Sequence, residues 1–275
     1  MKLSIAGILS FPFKMVNMHV SDLPERSQDY LKAIFDLQEW GSSGVSLSEL
    51  ATHLGQRTST ASEAIKRLVK QGLVEHRPYG DIQLTASGQE LALAMVRRHR
   101  LIETFLSVHL GYPMDEVHAE AEILEHAVSE TFLERIDALM GHPQRDPHGD
   151  PIPDSAGAMQ SLAVTSLSDA TTGDIVYVDR VSDRDPSLLR YLSQRAILPG
   201  AQLEVLAPAF ADMAEVRVSG GHTVQLPVAS LSSILVSAQP PTAVSAATNN
   251  TTNNTRSGSP NSTKKPDTSR KAAGQ

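Results

Sequence analysis

Between residues 46 and 85 the chain is punctuated in a way that few folds accept. Ser46-Leu47-Ser48-Glu49 has the form of a capping box, with Ser46 at the N-cap and Glu49 three residues into a helix. The spacing predicts a short helix to Leu54, stopped by Gly55. Thr58 or Ser59 can cap a second helix, which carries Ile65, Leu68 and Val69 to Gly72. Two β-like runs follow, 73–77 and 82–85, joined through Pro78-Tyr79-Gly80-Asp81 as a hairpin turn. Helix, tight turn, helix, hairpin is the order of a winged helix-turn-helix. Ahead of it, 22–40 reads as a helix with Leu31, Ile34, Phe35 and Leu37 on one stripe.

The remaining chain divides by pattern. Residues 86–110 are helical, Gly111-Tyr112-Pro113 interrupts, and one long helix fits 115–140, with Val117, Ala121, Leu124, Val128 and Ile136 on its apolar stripe. Residues 142–157 are rich in Pro, Gly and Asp and read as a linker. The stretch 162–236 has β-branched runs at 174–178, 202–206, 215–218, 223–226 and 234–236, with a Gly220-Gly221 turn and one helix at 187–196. It reads as a small β-barrel. The expected fold class is mainly α with β. The expected division is an N-terminal extension (1–20), a winged helix-turn-helix domain (21–90), a helical domain (91–157), a small β domain (158–237) and a disordered tail (238–275) rich in Thr, Asn and Ser. The apolar 1–13 stretch lacks a clean cleavage site after it and is taken as an extension rather than a secretory leader.

Composition narrows the chemistry. The chain has no cysteine, which excludes disulfides, thiolate zinc sites, iron–sulfur clusters and cysteine nucleophiles, and fits a cytoplasmic location. No apolar run reaches the length of a membrane span. The net charge of −7 hides a local reversal, because residues 57–100 hold eight Lys or Arg against four acids. The second helix of the motif opens small and polar, with Ser59, Thr60, Ser62 and Glu63 after Arg57, and turns basic at Lys66. Small polar residues can approach base edges and basic ones suit phosphates, so this helix is the expected contact with double-stranded DNA.

A second constellation points to metal. His118, Glu122, Glu125 and His126 stand at i, i+4, i+7 and i+8 and share one helix face. The first three each follow an apolar-stripe residue, which makes the row half-buried. His99 and Glu103 form another i, i+4 pair on the preceding helix. Imidazoles and carboxylates gathered this way suit a borderline or hard divalent cation. Residues 115–154 carry eleven acids against Arg135 and Arg145, and burying part of that charge without a cation is costly. Taken as solvated surface pairs, the same residues leave a winged-helix regulator without metal. A metalloenzyme is disfavoured, because neither His-Glu-x-x-His nor, on the long helix, the ferritin-type Glu-x-x-His occurs.

Together, Asp29-Tyr30-Leu31, the 46–72 motif, Arg98-His99-Arg100-Leu101-Ile102-Glu103, the run from His118 to His126 and Gly149-Asp150-Pro151-Ile152-Pro153 resemble the diphtheria-toxin-repressor family of metal-dependent transcriptional regulators. The likeness covers residues 21–155 well and 160–236 weakly. It implies a homodimer on operator DNA, dimerisation through the helical domain, and an SH3-like, FeoA-like third domain. It implies one ligand set from Asp29, Glu122, Glu125 and His126 and another from His99, Glu103 and His118, with Asp183, or less readily Asp179, added from the third domain. The iron-responsive branch has methionine and cysteine where this chain has Asp29 and Glu122. Hard oxygen donors suit Mn²⁺, with Fe²⁺ a weaker co-activator. The implied output is repression of metal-uptake genes. One departure is Lys32, where the short manganese regulators have a glutamate, and it argues against their particular two-metal cluster.

Overall fold

A computed structural model of the chain describes residues 18–41, 44–77, 80–210 and 212–241. The expectations for residues 1–17, the tip of the wing at Pro78 and Tyr79, and the tail beyond 241 lie outside the described residues.

The first unit holds α1 (Glu25–Trp40), α2 (Leu47–His53), α3 (Thr58–Lys70) and a hairpin of β1 (Val74–His76) and β2 (Ile82–Leu84). Helix α1 starts three residues later than the periodicity suggests. Pro24 at its N-cap holds Leu23 extended, and Val20–Asp22 closes a separate 3₁₀ turn capped by His19. Ser46 caps α2 as expected, its Oγ accepting from the Glu49 N–H at 3.2 Å. The cap expected at Thr58 or Ser59 is not there. Arg57 occupies the N-cap of α3 without a side-chain bond, and both residues already lie in the first turn. Ala61, Ala64, Ile65 and Leu68 pack inward, whereas Val69 is 41% exposed and leaves the expected stripe. The wing pairs antiparallel, Val74 with Leu84 and His76 with Ile82. Gly88 allows the next helix to start against the wing, since a Cβ there would fall 1.9 Å from the Leu73 carbonyl oxygen.

Helix α4 (Ala86–Leu110) joins two cores. Its first half contributes Leu91, Ala92, Met95 and Val96 to the core around α1. Its second half packs Leu101, Ile102 and Leu106 with Val117 and Ala121 of α5 (Val117–Leu124) and Leu133 and Ile136 of α6 (Glu130–Leu139). The single long helix expected over 115–140 is therefore two helices. The apolar stripe continues through the break, but Ser129 caps a new helix by accepting from the Phe132 N–H, and a turn at 125–127 swings Glu125 into full burial.

The supposed linker at 142–157 is largely buried structure. Arg145, Asp146, His148, Asp150 and Ile152 are all buried. The Asp146 carboxylate accepts from the N–H groups of His148 and Asp150, at 2.9 and 2.8 Å. Gly149, at φ 91°, lies so close to the Asp179 carbonyl that a Cβ would fall 2.0 Å from its oxygen. The segment is stitched to the third unit by the Val181 N–H, which donates to the His148 carbonyl at 2.9 Å.

That third unit is an antiparallel sheet ordered β3-β8-β4-β5-β6-β7, from β3 (Thr165–Ser166), β4 (Ile175–Val181), β5 (Gln202–Phe210), β6 (Met213–Val218), β7 (Thr223–Pro227) and β8 (Ile234–Ser237). Helix α7 (Pro186–Ser193) interrupts it, capped by Asp185, and ends three residues before the expected Ala196. The mainly α architecture with a small C-terminal β domain is as the sequence predicts. Three buried charges, Arg100, Asp150 and Arg180, and the half-buried Glu39 fasten the units together. Glu39 of α1 accepts from Arg100 of α4 at 2.7 Å and from Arg180 of β4 at 2.8 Å. Asp150 also pairs with Arg180, whose guanidinium lies 4.5 Å from the Trp40 ring centroid. Among the described residues no helix is long and apolar enough to cross a membrane.

Candidate metal centre and nucleic-acid interface

Helix α4 places His99 and Glu103 one turn apart, both buried, facing α5. His99 Nε2 lies 2.9 Å from Glu103 Oε1 and 3.2 Å from His118 Nδ1. His118 Nδ1 in turn lies 3.0 Å from Asp183 Oδ2, on the loop after β4. Asp179 is elsewhere, held by Arg145 Nη1 at 2.6 Å. The sequence reading missed two members of this group. Asp146 and His148 converge on Glu103 from the buried 142–152 segment. The ring of His148 donates from Nε2 to the Met114 carbonyl at 3.0 Å. Its Nδ1, buried and 3.7 Å from Glu103 Oε2, has no hydrogen-bond partner among the described residues. A ring held by one nitrogen with the other left free is how a protein orients an imidazole ligand.

A second group forms where α1 meets the turn after α5. His126 Nε2 is 2.9 Å from Asp29 Oδ1 and 3.5 Å from Glu125 Oε1. The approach to Asp29 is out of hydrogen-bonding alignment, so Oδ1 is buried without a partner. His126 Nδ1 lies 3.1 Å from Gln28 Oε1. The expected two sets are therefore brought together, but they are not separate. His99 touches both, its Nδ1 lying 2.6 Å from Glu125 Oε2. Lys32 enters the same space, donating to Glu122 Oε1 at 2.5 Å and to both Glu125 oxygens at 2.6 and 2.8 Å.

Without an ion, protons and Lys32 supply the positive charge. Burial opposes charging His99, as does Lys32, yet Glu103 and Glu125 outweigh both and raise it to about 9. Burial likewise opposes His118, but its bonds to Asp183 and Glu103 raise it to about 11. His148 rises to about 10 against its burial through Glu103 and Asp146. Burial would raise Glu125, but Lys32 and His99 bring it to about 2. Asp29 is raised by burial, only partly offset by His126 and Lys32. Hard oxygen and imidazole donors, with two buried unpartnered atoms aimed inward, fit a hard divalent cation in both groups.

On α3, Arg57, Ser59, Thr60, Glu63 and Lys66 are exposed and Ser62 is half-buried. Lys66 donates to Glu63 at 2.8 Å, a surface pair one turn apart. Arg67 and Lys70 extend the basic end. Tyr30, next to Asp29, donates its hydroxyl to Gln56 Oε1 at 2.6 Å, in the turn that leads into α3. Helix α1 thus carries Asp29 of the metal group and is tied to the helix-turn-helix by the Tyr30 bond and by a shared core with Leu50, Ala61, Ile65 and Leu68.

Three family models match in register with these units. The N-terminal DNA binding domain of iron dependent repressors matches residues 22–82, their metal binding and dimerisation domain matches 85–154, and the FeoA domain matches 165–238. The iron-dependent repressor IdeR of Mycobacterium leprae is 32% identical over 68% of this chain and 86% of its own length. A solved manganese-dependent transcriptional repressor in complex with manganese is 49% identical, covering 76% of this chain and 98% of that one at a TM-score of 0.73. The manganese regulator SloR is 35% identical, covering 77% and 98% at a TM-score of 0.65. The chain belongs to the diphtheria-toxin-repressor family of metal-dependent, DNA-binding transcriptional repressors, and is not an enzyme.

Proposed function

We propose that this chain is a manganese-activated repressor of metal-uptake genes, acting in the cytoplasm as a homodimer on operator DNA. Two ligand groups would hold the metal, Glu103, His118, His148 and Asp183 with Asp146 and His99 beside them, and Asp29, Glu122, Glu125 and His126. Bound cations would supply the positive charge that protons and Lys32 now supply. The observation that carries the reading is the position of Asp29, on the DNA-binding unit, against Glu125 and His126 of the helical unit. Closing that junction sets α1, and through Tyr30 and Gln56 the entry to α3. In a dimer it fixes the separation of two α3 helices, which must match half-sites about one helical turn apart. Exposed Val108, Leu110, Ile123, Phe132 and Leu139 on α4, α5 and α6 offer the apolar surface for dimerisation.

Manganese is favoured by the absence of any thiolate and by the carboxylates at Asp29 and Glu122. Relatives named as manganese regulators support it. The iron-responsive alternative draws on the mycobacterial relatives, which are named as iron-dependent. Fluorescence anisotropy on DNA upstream of metal-transport genes, with Mn²⁺, Fe²⁺ or Zn²⁺ against a chelated control at one fixed salt concentration, tests the reading. Binding that tightens with Mn²⁺ at the lowest concentration is expected. Binding indifferent to metal would leave a winged-helix regulator, and a preference for Fe²⁺ would transfer the assignment to iron.

A further inference from the structure

Lys32 does something that neither ligand group requires. Its side chain is 8% exposed, and its ammonium donates three hydrogen bonds, to Glu122 and to both oxygens of Glu125, while lying 3.3 Å from His99 Nδ1. Two of the four donors of the Asp29 group are therefore engaged by a fixed cation. The Glu103, His148 and Asp183 group holds no lysine, and the positive charge beside it sits on imidazoles, which give it up to solvent as protons whereas a tethered ammonium stays in the site. One turn along α1 stands Asp36, whose carboxylate accepts no hydrogen bond among the described residues. Lys32 and Asp36 line the same cavity of about 690 Å³, together with Asp29, Glu122 and Asp183. A lysine chain is long and flexible enough to reach a carboxylate four residues on along a helix.

Resting on the metal reading above, we propose that Lys32 is a tethered cation that competes with the metal for Glu122 and Glu125 and moves to Asp36 when an ion enters the Asp29 group. Before metal arrives it holds the two carboxylates in place and neutralises them, which keeps a fully buried Glu125 tolerable. The same bonds weaken this group for metal relative to its neighbour. Occupancy is then ordered. The Glu103 group fills first, and the junction between the DNA-binding and helical units closes at the second, weaker step. Lys32 thereby sets the metal concentration at which the junction responds.

Calorimetric titration of Mn²⁺ into the full-length protein tests this, comparing wild type with Lys32→Met and Lys32→Arg. Wild type should show two steps of unequal affinity. Lys32→Met should tighten the weaker step by about tenfold or more, because a unit charge is removed from two ligating carboxylates. It should leave the tighter step in place, and Lys32→Arg should keep the wild-type separation. A purely structural lysine would lower the melting temperature equally with and without Mn²⁺. Competition instead predicts a loss without metal that Mn²⁺ restores. In the unsubstituted protein, Lys32 should be protected from an acetylating reagent until the second ion binds and reactive afterwards, as read by peptide mass spectrometry. Two unchanged steps in Lys32→Met, or a Lys32 still protected at saturating Mn²⁺, would overturn the proposal. A wild-type chain that binds no Mn²⁺ would instead overturn the metal reading beneath it.

Discussion

Asp29→Ala should separate metal binding from its consequence. Of the four ligands proposed for its group, Asp29 alone belongs to the DNA-binding unit, while Glu122 lies on α5 and Glu125 and His126 in the turn after it. Without Asp29 the remaining three can still attract a cation, but nothing ties that cation to α1. Coupling between two sites in a regulator of this kind amounts to about 1–3 kcal/mol, or about 5–150-fold in affinity. That whole factor should collapse toward unity in the variant. The fold should barely notice. Asp29 Oδ1 has no hydrogen-bond partner among the described residues, and burial raises the pKa of the carboxyl, so its charge is a burden in the folded state. Loss of the carboxylate should change stability by under about 1 kcal/mol. Anisotropy with and without Mn²⁺ measures the coupling, size-exclusion chromatography the dimer, and thermal melting the fold. If Asp29→Ala shows the wild-type fold-change in DNA affinity on adding Mn²⁺, the junction does not transmit the signal.

Four further outcomes follow from the same geometry. His148→Ala should weaken the tighter Mn²⁺ step by at least about 10–100-fold, the cost seen even for residues that merely orient a ligand, and an unchanged isotherm would exclude His148 as a ligand. The imidazoles at about 9, 10 and 11, against an ordinary 6.5, are protonated at about pH 7 without metal, and ligation needs the neutral ring. Mn²⁺ binding should therefore release protons and tighten as pH rises, while the stability these rings lend the metal-free chain, complete below 6.5, is lost through about 9–11. Titration heats that do not vary with buffer ionisation enthalpy would contradict this. Arg180→Ala leaves Glu39 and Asp150 short of a partner in a buried network, so chemical denaturation should register a loss of about 3–5 kcal/mol and proteolysis should release the third unit. Lys66→Ala should weaken binding evenly across DNA sequences and reduce the salt slope by about 1, whereas a sequence-selective loss would place Lys66 on bases.

What was legible in the sequence was local. Ser46 and Glu49 lie three residues apart and make their cap without tertiary help. His118 with Glu122 and His99 with Glu103 each share a face because they stand four residues apart on one helix, whereas Glu125 and His126 fall in the turn after α5 and meet Asp29 there. What escaped was set by distant partners. The break after Leu124 is the exception, since the Ser129 cap on the Phe132 N–H is as local as that of Ser46, but the apolar stripe runs through residues 124–136 and masks it. The 142–157 stretch has the composition of a linker, yet Asp146 folds it on itself and His148 is buried against Glu103, which lies on another helix. The Asp146-Pro147-His148 spacing was a signal, but it carried no meaning without that partner. Lys32 was visible as a departure from the family pattern. Its place between the ligand groups depends on residues 67 to 93 positions away.

Anomalous diffraction at the manganese edge from crystals of the Mn²⁺-loaded protein locates the ions themselves. One peak should lie among Glu103, His148, His118 and Asp183, and a second should span Asp29 of the DNA-binding unit and Glu125 and His126 of the helical unit. Peaks confined to residues of a single unit, with Asp29 free of metal, would contradict a metal-bridged junction.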